Sequence, residues 1–170
     1  VNKAKKSRAG FDVSTALWDF DVHAEVGYSH ELTGAFSQSY GMTYDLKYSD
    51  ADPLSLGAEI FLNPLGHSNT DDYAAVLALG TYEPYQLGKR YAAFFAYLPA
   101  PTGLKNWGLT VYEMVNVSDQ SGYLRGTVSY RGFRDLALEG ALGATHGRAE
   151  GEFRLAQSQF DCALRANLEF

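Results

Sequence analysis

The sequence predicts an all-β fold, an antiparallel transmembrane β-barrel of about ten strands, on three observations. Apolar and polar residues alternate without interruption through residues 160–170, which gives an extended strand one apolar and one polar face. Roughly ten residues is also the length that a tilted strand needs to cross a bilayer. The same alternation recurs along most of the 170 residues, and turn-forming residues separate the segments that show it.

The composition is compatible with such a barrel and excludes several other classes of protein. The formal charge of −6 and the isoelectric point near 5.1 argue against a nucleic acid partner, because no basic surface would offset the phosphate charge. Aromatic residues make up 14% of the chain, with 12 Tyr and 10 Phe, which suits strands and the aromatic girdles of membrane barrels. No apolar run approaches about 20 residues, so no transmembrane helix is predicted.

The predicted elements follow the alternation in chain order. Residues 1–10 form a basic N-terminal segment, and the barrel domain is predicted over residues 11–170. The predicted strands cover residues 16–28, 40–48, 54–62, 73–79, 91–98, 107–117, 123–131, 135–144, 149–156 and 160–170. Pro53 and the polar residues 63–72 mark turns or loops, as do residues 99–103, because Pro cannot donate to a ladder and Asp, Asn and Gly favour turns.

The strand count depends on residues 157–158, where the apolar phase shifts from odd to even positions. A tight hairpin at this point gives ten strands, and a single long strand through it gives nine. Ten is favoured, because an even number returns both termini to the same side of the membrane.

Charged and polar residues share one face of several predicted strands and would line the interior of the barrel. The clearest row is formed by Asp19, Asp21, His23 and Glu25, and the full candidate set is Asp19, Asp21, His23, Glu25, Asp45, Lys47, Glu59, Arg125, Asp161 and Arg165. Acidic residues along a pore would raise the local concentration of cations. The interior of a ten-stranded barrel is narrow, however, so the same groups could instead fill it with ion pairs.

Neither a metal site nor an enzymatic site is predicted. Same-face neighbours on a strand lie about 6.6 Å apart, so one strand cannot surround one metal ion. Cys162 is the only cysteine, which excludes a thiolate cluster, and no cofactor is expected. The neighbouring residues 67–69 include His and Ser but cannot form a nucleophile–base–orienter geometry, and no nucleophile elbow, phosphate loop or zinc-protease motif occurs.

The C-terminal segment Phe160-Asp161-Cys162-Ala163-Leu164-Arg165-Ala166-Asn167-Leu168-Glu169-Phe170 resembles the C-terminal signal strand of bacterial outer-membrane β-barrels. The resemblance implies a place in the bacterial outer membrane and recognition of Phe170 by the barrel-assembly machinery. Residues 66–101, with Asp71-Asp72-Tyr73-Ala74-Ala75 and Leu98-Pro99-Ala100-Pro101, are also similar to the distal part of large porin-like proteins of Proteobacteria. The predicted outer loops are shorter than is usual for small barrels of this class.

These inferences predict a porin-like channel in contact with outer-membrane lipid, through which small polar solutes or ions diffuse passively. Two alternatives stay open: a non-conducting barrel that anchors a larger assembly, and a soluble lipocalin-like ligand binder. Further partners are other subunits, or the N-terminal part of a larger barrel of which this chain holds the C-terminal strands.

Overall fold

The computed structural model describes residues 8–29, 35–48, 53–80, 87–156 and 158–168. Nine strands lie within these residues: β1 Arg8–Leu17, β2 Phe20–Ser29, β3 Ala35–Lys47, β4 Pro53–Leu62, β5 Arg90–Pro99, β6 Trp107–Asn116, β7 Ser121–Tyr130, β8 Leu136–Gly147 and β9 Phe160–Leu168. Two short α-helices, α1 Tyr73–Ala78 and α2 Glu152–Ala156, and two single 3-10 turns, Thr70–Asp72 and Pro101–Gly103, complete the elements. None of the described helices is long and apolar enough to span a membrane.

All nine strands belong to one antiparallel sheet, in which each strand pairs with the next one in the chain from β1 to β9. In the described residues no ladder joins β1 to β9, so the sheet is open and has two edges. The all-β antiparallel prediction is confirmed. The prediction that ten strands close into a barrel is wrong for the described part of the chain, which forms nine strands and an open sheet.

The predicted single strand over residues 16–28 is wrong, because the chain reverses at Trp18 and Asp19 between β1 and β2. Trp18 adopts a left-handed backbone conformation, with φ of 55°. The apolar positions are odd-numbered in β1 and even-numbered in β2, so the apolar phase shifts at this two-residue turn. The first strand of the sheet begins at Arg8, so the expected boundary between the N-terminal segment 1–10 and the barrel domain 11–170 falls within β1. Residues 1–7 lie outside the described residues.

Two predicted strands are helices. Residues 73–79 were predicted as a strand, but α1 forms there because alanine and leucine favour a helix and two acidic residues precede its positive N-terminal end. Residues 149–156 were predicted as a strand, but they contain a turn and α2, because a few alternating positions cannot distinguish a strand from a helix. The loss of these two strands and the gain of β1 as a separate strand reduce the predicted ten strands to nine. Gln157, at the proposed hairpin, lies outside the described residues.

The strand connections differ between the two ends of the sheet. We call one the turn end: it holds the connections at residues 18–19, 48–52, 100–106 and 131–135. We call the other the helical end: it holds the connections at residues 30–34, 63–89, 117–120 and 148–159, and with them both α-helices. β9 runs from the helical end to the turn end.

Candidate functional site

The sheet has one apolar and one polar face, and the strand register shows which residues share each face. Cross-strand partners such as Phe20, Tyr44, Leu56, Ala96 and Val111 form one continuous row across β2 to β6. We call the face that carries this row the apolar face. It also includes Phe11, Val13, Leu17, Val22, Met42, Ile60, Phe94, Leu124, Val128, Leu138, Leu142, Leu164 and Leu168.

On β7 and β8 the apolar face is the more exposed one and the polar face is the more sheltered one. On β1 both faces are exposed, and on β2 the order is reversed, with Asp21, His23 and Glu25 exposed and the apolar side chains half-buried. Leu142 is 71% exposed and Leu164 is 92% exposed, although both are large apolar side chains. On the polar face of β7, by contrast, Tyr123 and Arg125 are half-buried. A water-soluble sheet has the opposite arrangement, because burial of apolar surface stabilises it and its polar face meets water.

Nine of the ten predicted interior residues do share the polar face. The register places Asp21, Arg125 and Asp161 on one row that crosses the sheet from β2 to β9. The others on this face are His23, Glu25, Asp45, Lys47, Glu59 and Arg165. Asp19 is the exception, because it lies in the turn between β1 and β2 and belongs to neither face of a strand.

Charges are distributed unevenly over the polar face. On β7 to β9 they are paired: Arg125 Nη1 lies 3.4 Å from Asp161 Oδ1, and Arg165 Nη1 lies 3.7 Å from Glu139 Oε1. The hydroxyl of Tyr123 donates a hydrogen bond of 2.7 Å to Asp161 Oδ2. On β1 to β4 the described polar face is acidic, with Asp12, Asp21, Glu25, Asp45 and Glu59 against Lys47.

A buried cluster of polar side chains covers the polar face at the helical end. It consists of Tyr73 of α1, Tyr91 of β5, Asn116 of β6, Asp119 of the β6–β7 turn and Glu152 of α2, and we call it the helical-end cluster. All five side chains are almost completely buried. Sequence reasoning missed this cluster, since the segments that contain Tyr73 and Glu152 were predicted as strands.

Hydrogen bonds connect the helical-end cluster through Glu152. The Tyr91 hydroxyl donates to Glu152 Oε2, and Asn116 Nδ2 donates to the same oxygen at 2.9 Å. Asn116 Nδ2 also lies 3.4 Å from the Tyr73 hydroxyl oxygen, and the Gly88 backbone N–H donates to the Tyr91 hydroxyl oxygen at 2.7 Å. An added Cβ at Gly88 would overlap the Asn116 amide, so only glycine allows this close approach.

The first turn of α2 is held by side chains from the β6–β7 connection and β7. Asp119 Oδ2 accepts a hydrogen bond of 2.9 Å from the backbone N–H of Glu152, and Ser121 Oγ accepts one of 3.2 Å from that of Phe153. These acceptors satisfy N–H groups that have no partner within the helix itself. The start of α2 is therefore held against the polar face.

The environment of the cluster favours the neutral forms of Glu152 and Tyr73. Burial raises the pKa of the Glu152 carboxyl, and the nearby Asp119 charge raises it further, while hydrogen bonds from Tyr91, Asn116 and the Leu87 backbone lower it. Burial also raises the pKa of Tyr73. Glu152 Oε1 has no hydrogen-bond partner that meets normal geometry among the described residues. The cluster fits a structural cover better than a catalytic site, since it contains no nucleophile beside a base.

A pair of polar side chains interrupts the apolar face near the helical end. His146 Nε2 of β8 lies 3.1 Å from Glu113 Oε1 of β6. The two side chains meet across β7 at Gly122, where an added Cβ would come within 2.5 Å of the His146 ring. In the described residues, no group of three or more His, Cys, Asp or Glu side chains is arranged to hold a metal ion.

Comparison with known proteins identifies no relative. No family model matches the chain, no curated protein matches it, and no solved structure matches it.

Proposed function

We propose that this chain contributes the strands of a transmembrane β-barrel in the bacterial outer membrane and acts as a porin-like channel for passive diffusion of small polar solutes or ions. The observation that supports this proposal best is the apolar face, which crosses all nine strands and on β7 and β8 is more exposed than the polar face behind it. Lipid is the solvent that suits such a surface, and the polar face then lines a water-filled interior. Strands of about ten residues match the thickness of the bilayer.

The two ends of the sheet suggest its orientation in the membrane. Outer-membrane barrels have short turns on the periplasmic side and longer loops outside. The helical end holds the two longest connections, residues 63–89 and 148–159, and is therefore the proposed outer side. β9 then ends on the periplasmic side, where the assembly machinery would meet the terminal Phe170, which lies outside the described residues.

The open edges of the sheet require further strands in this proposal. Backbone N–H and C=O groups cannot stay unpaired in hydrocarbon, so the outer edges of β1 and β9 need partners within the membrane. Such strands belong either to a longer form of the same chain or to other subunits. The chain is accordingly proposed to form part of a larger barrel, and not a closed barrel of its own nine described strands.

One observation favours a second function, a non-conducting barrel that anchors other proteins. The helical-end cluster lies across the polar face, and the ion pairs Arg125–Asp161 and Arg165–Glu139 occupy the same face. A lumen filled in this way would not conduct. The third possibility, a soluble binder with an apolar interior, is disfavoured because on β7 and β8 the polar face is the more sheltered one.

Single-channel recording in planar bilayers separates the first two functions. An open channel gives discrete current steps, and its cation preference falls when Asp21 and Glu25 are replaced together by Asn and Gln, because these carboxylates face the lumen. Asp19→Asn is the matched control, since Asp19 lies in a turn and its loss should leave selectivity unchanged. Protein that inserts but gives no steps would favour the anchoring barrel. Protein that stays monodisperse in buffer without detergent would contradict both membrane functions.

A further inference from the structure

The connection between β8 and β9 folds back over the polar face at the helical end, and we call its residues 148–156 the lid. Its helix α2 lies over the row that Tyr91, Asn116 and Ser121 form across β5, β6 and β7. Neighbouring strands are about 4.8 Å apart, so this row is about 10 Å wide. In the proposed channel the lid therefore covers part of the lumen entrance.

The carboxyl of Glu152 is the ionisable group that the lid itself brings into the helical-end cluster. It is fully buried beside Asp119, which is 2% exposed and whose Oδ2 accepts the Glu152 backbone N–H at 2.9 Å. Among the described residues, no Lys, Arg or His side chain forms an ion pair with either carboxyl. Ionised Glu152 would place a second negative charge beside Asp119 where little water screens it, which costs free energy that a neutral carboxyl avoids. Docking therefore favours a protonated Glu152.

The other titratable groups near Glu152 leave it as the group whose charge opposes docking. Those that face it from other elements are Asp119 of the β6–β7 turn, Tyr73 of α1 and Tyr91 of β5. Tyrosine titrates near pH 10 and stays neutral below about pH 8. On the lid itself, Arg148 and Glu150 are exposed and Arg154 is half-buried. Asp119 holds two backbone N–H groups in either state of its neighbour, at Ser121 and at Glu152.

A glycine joins the lid to β8. Gly147 has a left-handed backbone conformation, with φ of 94°, and an added Cβ there would come within 2.0 Å of the Gln120 carbonyl oxygen. It pairs with Ser121 at the last position of the β7–β8 ladder, and residues 148–150 after it are exposed. Hinges are commonly such residues at the end of an element, where a change in φ and ψ leaves the element itself intact.

We propose that the lid is a proton-controlled gate, which covers the lumen entrance while Glu152 is protonated and swings away from the polar face when Glu152 ionises. The inference rests on the proposed channel, whose regulation it describes. Burial raises the pKa of Glu152 in the docked lid, so docking is strongest below the ordinary pKa of about 4.3 and weakens as pH rises through the higher value. Between the two values, the ratio of released to docked lid rises up to about tenfold per pH unit.

Single-channel recording of the full chain in planar bilayers, between about pH 4 and pH 8, tests the gate. The fraction of time for which the native channel conducts should rise with pH. Glu152→Gln keeps an oxygen acceptor for Tyr91 and Asn116 but cannot ionise. It should therefore stay mostly closed, with a conducting fraction that does not change with pH.

Two control variants should respond to pH as the native chain does. Glu150→Gln removes the same charge from an exposed position of the lid. His67→Gln removes a group that also titrates in this range and whose ring centre lies 6.4 Å from that of Tyr73. Loss of the pH response in either control would overturn the gate. An equal pH response in the native chain and Glu152→Gln would also overturn it and leave the channel proposal standing.

Trypsin cleavage at Arg154 in detergent separates the gate from the channel. The native chain should be cut faster there as pH rises, relative to Glu152→Gln. Such release in a protein that inserts but gives no current steps at any pH would support proton control of the lid and contradict the channel. Neither release nor current steps would contradict both proposals.

Discussion

Replacing Glu152 by alanine should release α2 from the sheet. Glu152 Oε2 accepts hydrogen bonds from the Tyr91 hydroxyl and from Asn116 Nδ2, and all three side chains are buried. Each buried donor left without an acceptor costs about 1–3 kcal/mol, which gives about 2–6 kcal/mol for the pair. Loss of a carboxyl that is itself unfavourably buried offsets part of this cost, so we expect about 2–4 kcal/mol. Glu152→Gln keeps an oxygen acceptor for both donors and should cost much less.

Limited trypsin digestion measures this docking free energy directly. Arg154 lies within α2 and is half-buried, so cleavage at this residue requires the helix to open, whereas the exposed Arg148 can be cut without opening and is scored separately. When opening is fast relative to cleavage, the cleavage rate follows the open population. At about 1.4 kcal/mol per tenfold change, Glu152→Ala should be cut at least roughly thirtyfold faster than the native chain. If Glu152→Ala resists trypsin as well as the native chain does, the assignment of Glu152 as the anchor of α2 is wrong.

The pH dependence of the same digestion has a defined sign. Burial raises the pKa of Glu152 above its ordinary value, so protonation favours docking. Its contribution to docking is fully present below the ordinary pKa of about 4.3 and is lost as pH rises through the higher pKa of the folded state. The cleavage rate of the native chain is divided by that of Glu152→Gln, which cancels the pH response of the protease itself. This ratio should increase with pH, because only the native chain carries a carboxyl that ionises at residue 152. A ratio that decreases with pH would contradict this reasoning.

Two further substitutions test the faces of the sheet by chemical unfolding in detergent. His146→Leu leaves Glu113 without its partner on the apolar face and should lower the free energy of unfolding by about 1 kcal/mol. Replacement of both residues by Leu should be neutral or stabilising, because no unpaired carboxylate remains. A double variant that is less stable than His146→Leu would argue against a lipid-facing pair. Gly57→Ala forces the Phe95 ring from its place and should cost about 1–3 kcal/mol. Gly126→Ala is its control, because an added Cβ there meets nothing within 4 Å, and equal losses at both glycines would contradict the account.

The sequence was sufficient for the strands that are bounded by strong turn residues. β5, β6 and β7 lie within two residues of the predicted ranges, since the loops before and after them contain Pro, Gly, Asp or Ser. The division into two faces also followed from the alternation, because side chains of a strand point to opposite sides whatever the strand pairs with. Nine of the ten predicted interior residues therefore share a face, even though the strand order was unknown.

The remaining features depend on contacts that alternation does not encode. The turn at Trp18 needs a left-handed conformation that a tryptophan rarely adopts, so no turn residue marks it. Glu152 is buried only because Tyr91, Asn116 and Asp119 converge on it from three separate parts of the chain. No local pattern predicts such a convergence. The Gly57–Phe95 contact likewise depends on the register between β4 and β5.

The most direct test of the central claim compares neighbouring residues of β7 that lie on opposite faces. A nitroxide label is attached to a cysteine at Val128, on the apolar face, or at Thr127, on the polar face, with Cys162 replaced by serine. In lipid bilayers we predict that the Val128 label collides more with oxygen, which is concentrated in hydrocarbon, and the Thr127 label more with a water-soluble nickel chelate. The reverse order, or equal access of both labels to the nickel chelate, would contradict a lipid-facing apolar sheet.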